Sequence, residues 1–85
     1  MQLKGKFEEY TETEFTQLIT EIFSAEGGEV YQDALLENFI TVAEHPDGSD
    51  LIYYNDNDDI TPQQLVDVIK RWRRDNGKPG FKQEL

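Results

Sequence analysis

The side chains able to do chemistry in this sequence are one histidine, 18 carboxylates and a scatter of hydroxyls, with no cysteine. His45 therefore has no thiol to activate, and neither a G-x-S-x-G elbow nor a phosphate-binding glycine loop occurs. It precedes Pro46 at the end of an apolar-periodic segment, where a lone histidine reads as a structural residue rather than a base. Among so many acids no pair stands out for acid–base work. Residues 55–59 offer alternating oxygen donors at Asn55, Asn57 and Asp59, the opening of a calcium-loop pattern. The sixth place, however, is Ile60 rather than glycine, and the twelfth is Val66 rather than glutamate. The expectation is a solvated acidic loop, with no metal, no cofactor and no catalysis.

What remains is the stretch His45-Pro46-Asp47-Gly48-Ser49-Asp50-Leu51-Ile52-Tyr53-Tyr54-Asn55. Asp47-Gly48 signals a turn, and Ser49 or Asp50 can cap one short helical coil carrying Leu51 to Tyr54. Consecutive side chains on such a coil point about 100° apart, so a small core cannot take both tyrosines. One packs inward and the other projects beside carboxylates, the composition of a binding hot spot: aromatic area at low entropy cost, plus a hydroxyl. A second reading starts from Ser49. Acyl carrier proteins are also small, acidic and four-helical, and they accept phosphopantetheine on the serine of a D-S-L signature. Gly48-Ser49-Asp50-Leu51 has serine and acid in the reverse order, before a helix of only one turn. The carrier domain modified on Ser49 is the alternative.

Three longer helices must hold that stretch in place. Thr11 and Glu14 have capping-box spacing and Tyr10 with Phe15 that of a hydrophobic staple. Phe15, Leu18, Ile19, Ile22 and Phe23 then form one stripe. Ala25 to Gly28 breaks the chain. A second helix, roughly Glu29 to Glu44, places Tyr31, Leu35, Phe39 and Val42 toward a core. Glu29, Gln32, Asp33, Leu36 and Ile40 form a separate stripe, centred roughly 130° away on the helical wheel. Periodicity serves two readings of it equally: the margin of a wide core face, or an interaction face. His45-Pro46 ends this helix. Thr61, Pro62 and Gln64, with Ile60 and Leu65 as staple, open the last helix. Its core stripe is expected to be Leu65, Val68, Ile69 and Trp72, with Lys70, Arg71, Arg73 and Arg74 near its C-terminal end, where cations suit the dipole. Asn76-Gly77 stops it, and the tail is expected to dock by Phe81. No sustained period-two alternation or internal repeat occurs. The class is all-α, in a single domain over residues 1–85.

The net charge of −10 is unevenly spread. Between Phe7 and Ile69 there is no Lys or Arg, and all the acids except Asp75 and Glu84 lie there. Such a field repels nucleic acid and anionic membranes and steers toward a basic partner. The bland reading of the same charge is solubility. MQLKGKFEEY lacks an apolar leader core and no apolar run approaches a membrane span, so no membrane association is expected. Absence of cysteine fits a reducing compartment.

The stretch Glu44-His45-Pro46-Asp47-Gly48-Ser49-Asp50-Leu51-Ile52-Tyr53-Tyr54 closely resembles the central signature of the immunity proteins that protect bacteria from DNase colicins and pyocins. Tyr10-Thr11-Glu12 with Glu14-Phe15 is similar to that family's first-helix opening. Trp72-Arg73 and the run Asn76-Gly77-Lys78-Pro79-Gly80-Phe81-Lys82-Gln83 are similar to its C-terminal segment. The resemblance implies a small distorted antiparallel four-helix bundle with a short third helix. It implies a cytoplasmic bacterial protein, monomeric when free, that is not an enzyme. Such a protein binds one to one the basic, C-terminal HNH-type DNase domain of a cognate bacteriocin, beside the nuclease active centre. By the same resemblance Ser49, Asp50, Tyr53 and Tyr54 match the shared hot spot, and Glu29, Gln32, Asp33, Leu36 and Ile40 the positions that choose the toxin. The family's proline after the tyrosine pair is Asn55 here.

Overall fold

Both capping boxes form in the computed structural model, which describes residues 3–48, 50–53 and 60–83. Thr11 Oγ1 accepts from the Glu14 amide at 3.1 Å, and Glu14 Oε1 accepts from the Thr11 amide at 2.9 Å. They open α1, Glu12–Ser24. The same reciprocal pair between Thr61 and Gln64, at 3.1 and 2.9 Å, opens α4, Pro62–Asp75. Each box satisfies two amides that a helix start leaves without partners.

Between them lie α2, Glu29–Ala43, and a single turn, α3, Asp50–Tyr53. The described residues contain no strand. A 3-10 turn, Phe7–Glu9, precedes α1 and does not show in the periodicity; it drops Phe7 into the core. Ala25 ends α1 in the left-handed region at φ 57°, and Glu44 ends α2 likewise at φ 59°. Gly27, at φ 91°, packs so tightly on the Tyr31 ring that a side chain there would collide with it.

The core gathers Phe15, Leu18, Ile19 and Ile22 from α1, Leu35, Phe39, Val42 and Ala43 from α2, Leu51 from α3, and Leu65, Val66 and Ile69 from α4. Phe15 is its hub, with Phe7, Tyr10, Phe39 and Phe81 rings at 5.1 to 5.8 Å. The tail docks as expected: Phe81 stacks on Phe7 at 4.3 Å, and the Lys82 amide donates to Tyr10 O at 2.8 Å. The start of the chain is tied to α2 by a polar bridge. Tyr10 hydroxyl donates to Asn38 Oδ1 at 2.6 Å and accepts from the Lys4 amide, while Asn38 Nδ2 donates to Lys4 O at 2.7 Å.

Two expectations are corrected. Phe23 is 36% exposed and lies outside the core. It sits about 80° from Phe15 on the wheel, at the edge of the stripe, in the last turn before the chain breaks. In α4 the buried face is Leu65, Val66, Ile69 and Arg73, whereas Val68 is 39% exposed and Trp72 half-buried. The helix is rolled by roughly 60° from the expected orientation. The roll brings the Arg73 guanidinium over the Phe7 ring, 4.0 Å from its centroid, and within reach of the last carbonyls of α2.

Candidate functional site

α2 ends at Ala43 and leaves Glu44 in a left-handed conformation, which turns the chain sharply into His45-Pro46-Asp47-Gly48. Local bonds then set the turn. The Gly48 amide donates to His45 O at 3.0 Å, the Asp50 amide to Asp47 O at 2.9 Å, and the Leu51 amide to Gly48 O at 3.2 Å. The Asp47 amide donates to His45 Nδ1 at 3.1 Å, and the His45 ring lies against Trp72 at 4.7 Å. His45 thus builds the turn.

Leu51 is buried and Ile52 packs on the core from its edge, while Asp50 is exposed. Two apolar side chains in one coil anchor α3 and leave Asp50 to solvent. Ser49, Tyr54 and the acidic loop at 55–59 lie outside the described residues, as does the Tyr53 side chain. Among the described residues no group of three or more His, Cys, Asp or Glu could hold a metal ion.

The α2 stripe divides. Glu29 and Asp33 are exposed, Ile40 is 38% exposed and Leu36 half-buried. Ile40 lies beside the turn: a Cβ at Gly48 would meet its side chain at 3.7 Å. Neither Leu36 nor Ile40 is among the buried core residues. Gln32 is half-buried. Its amide donates to the carbonyls of Glu21 and Glu26, which ties α2 to the α1–α2 connection. One residue escapes the wheel argument altogether. Val30 is 85% exposed and borders the stripe on its Asp33 side. Its signal in the sequence was a β-branched apolar residue on the acidic side of the helix, with no core partner at helical spacing.

The arrangement is a surface rather than a cleft. An acidic helix face with aliphatic spots runs to an anchored helical turn, on a scaffold braced by aromatic packing. That makes a small acidic binding protein of all-helical build. The chain belongs to the colicin immunity protein / pyocin immunity protein family, whose sequence model matches residues 7–75. The Pyocin-S1 and Pyocin-S2 immunity proteins of Pseudomonas aeruginosa are each 41% identical to it over 86 residues, spanning 94% of this chain and 98% of theirs. Among solved structures it matches a chain of the pyocin AP41 DNase–immunity complex with a TM-score of 0.87 at 36% identity, over 100% of this chain and 99% of that one. It also matches a chain from the complex of the mutant pyocin S8 nuclease domain with its cognate immunity protein, with a TM-score of 0.84 at 38% identity, over 94% of this chain and 100% of that one. This membership leaves the carrier reading of Ser49 without support.

Proposed function

We propose that the protein is a bacteriocin immunity protein that binds the DNase domain of a cognate colicin- or pyocin-like toxin, one to one, and abolishes DNA cleavage. The observation that carries this is the match along 100% and 94% of the chain, at 36% and 38% identity and TM-scores of 0.87 and 0.84, to chains solved in DNase–immunity complexes. It is an inhibitor and not an enzyme. The work is done by the acidic α2 face and by the turn around α3. Ser49, Asp50, Tyr53 and Tyr54 form the shared anchor, and Glu29, Gln32, Asp33, Leu36 and Ile40 select the toxin. Val30 joins the selecting side on its exposure. Bound beside the nuclease active centre, a protein of net charge −10 excludes DNA by bulk and by repulsion. The setting is the cytoplasm of the producing bacterium. No helix among the described residues is long and apolar enough to cross a membrane.

The DNase domain of the cognate toxin is the partner to test. Cleavage of plasmid DNA by that domain should fall linearly as the protein is added and vanish at one equivalent. Undiminished cleavage at large excess would sink the reading.

A further inference from the structure

α4 carries a charge into the core. Arg73 is 1% exposed, and among the described residues no other charged side chain is buried. Its Nη1 donates to Val42 O at 3.3 Å, to Ala43 O at 3.0 Å and to Glu44 Oε1 at 3.3 Å. Val42 and Ala43 belong to the last turn of α2, whose carbonyls have no partner within the helix and carry the negative end of its dipole. Nε donates to Pro79 O at 3.0 Å, and the Phe7 ring covers the guanidinium at 4.0 Å. One side chain thus joins α4, the end of α2, the chain start and the C-terminal segment.

Packing alone does not call for arginine there. Nη2 is buried with no hydrogen-bond partner among the described residues, and an apolar residue of similar volume would avoid that desolvation cost. What a hydrophobe could not do is set a direction. Among the described residues, the backbone bonds at the Gly48, Asp50 and Leu51 amides run to His45, Asp47 and Gly48, within the turn. The chain leaves α2 at Glu44, and Arg73 holds that exit by the Val42 and Ala43 carbonyls and the Glu44 carboxylate.

We propose that Arg73 is a positioning residue for the binding surface: by clamping the C-terminal end of α2 it sets where the turn and α3 stand relative to the acidic α2 stripe. The inference rests on the binding function proposed above, but its first test does not involve the nuclease. Arg73→Met keeps the side-chain stem and removes the donors. In the free protein, hydrogen exchange at the Gly48, Asp50 and Leu51 amides should quicken by at least about tenfold relative to Leu18 and Ile19 in α1, the loss of one charge-assisted hydrogen bond. Val66→Ala, a buried change elsewhere on α4, should shift all five amides together. Arg73→Lys, which keeps charge and one donor centre, serves if the methionine variant fails to fold, and should move the same amides by less. Uniform acceleration in the Arg73 variants, or none at the turn, overturns the proposal. With the cognate nuclease, Arg73→Met should speed dissociation while association stays near wild type. If the wild-type protein does not bind, the functional reading falls, and the exchange data still decide the role of Arg73.

Discussion

At the scale of single residues, the surface divides into side chains that anchor and side chains that are free to bind. Leu51 and Ile52 spend their apolar area on the core, His45 spends its ring on Trp72, and Asp50 is left to solvent. Tyr54 follows this coil in the sequence, and a tyrosine brings large area without the entropy of a long flexible chain. Tyr54→Ala should therefore weaken binding to the cognate nuclease by more than about 2 kcal/mol, as truncation of a hot-spot aromatic does. Calorimetric titration of the two proteins checks this, and an unchanged dissociation constant would remove Tyr54 from the anchor. Tyr10 shows the opposite use of the same residue type. Burial pushes its phenol above the ordinary value, and the Lys4 amide bond only partly offsets that. It is a strut of the core.

At the scale of elements, the helices are joined by contacts that the wheel does not show. Lys70 Nζ on α4 reaches Glu12 Oε1 on α1 at 2.7 Å, and Gln63 Nε2 holds the other carboxylate oxygen at 3.2 Å. The Lys70 hydrogen bond, above all, holds the Glu12 carboxyl below its ordinary 4.5 against a smaller desolvation effect. A depressed carboxylate contributes stability that is present above the unfolded value and is lost as pH falls through the folded one. Both side chains are more than a third exposed, so screening keeps the contribution small. Lys70→Gln should cost under about 1 kcal/mol at neutral pH. Urea midpoints of the variant and wild type should converge well below pH 4.5. A gap that persists in acid would show that the bridge is not its source.

At the scale of the whole molecule, the charge of −10 acts before contact does. α2 carries Glu29, Asp33 and Glu37 without a single base, and it is this helix that flanks the turn. Fields of this kind act over a Debye length, about 8 Å at physiological salt, and they raise association rates more than they slow dissociation. Raising salt should slow association with a basic nuclease domain steeply and change dissociation little. Stopped-flow rates across a salt series test this. Association independent of salt would leave the acidic face without a steering role.

Much of this was legible in the chain, because much of it is local. A capping box is written within four residues, so Thr11–Glu14 and Thr61–Gln64 marked the helix starts that the structure shows. The α2 core positions Leu35, Phe39 and Val42 followed from period alone. The turn at 45–48 announced itself by Pro46 and Gly48. Tertiary structure decided the rest. The roll of α4 toward Val66 and Arg73 depends on where the end of α2 and the Phe7 ring fall, 30 and more residues away in sequence. Periodicity fixes which side chains share a helix face, but it is blind to the partner that face meets. A wheel scores an arginine as solvent-facing because burying its charge is costly; only the α2 carbonyls, brought close by the fold, make that burial tolerable.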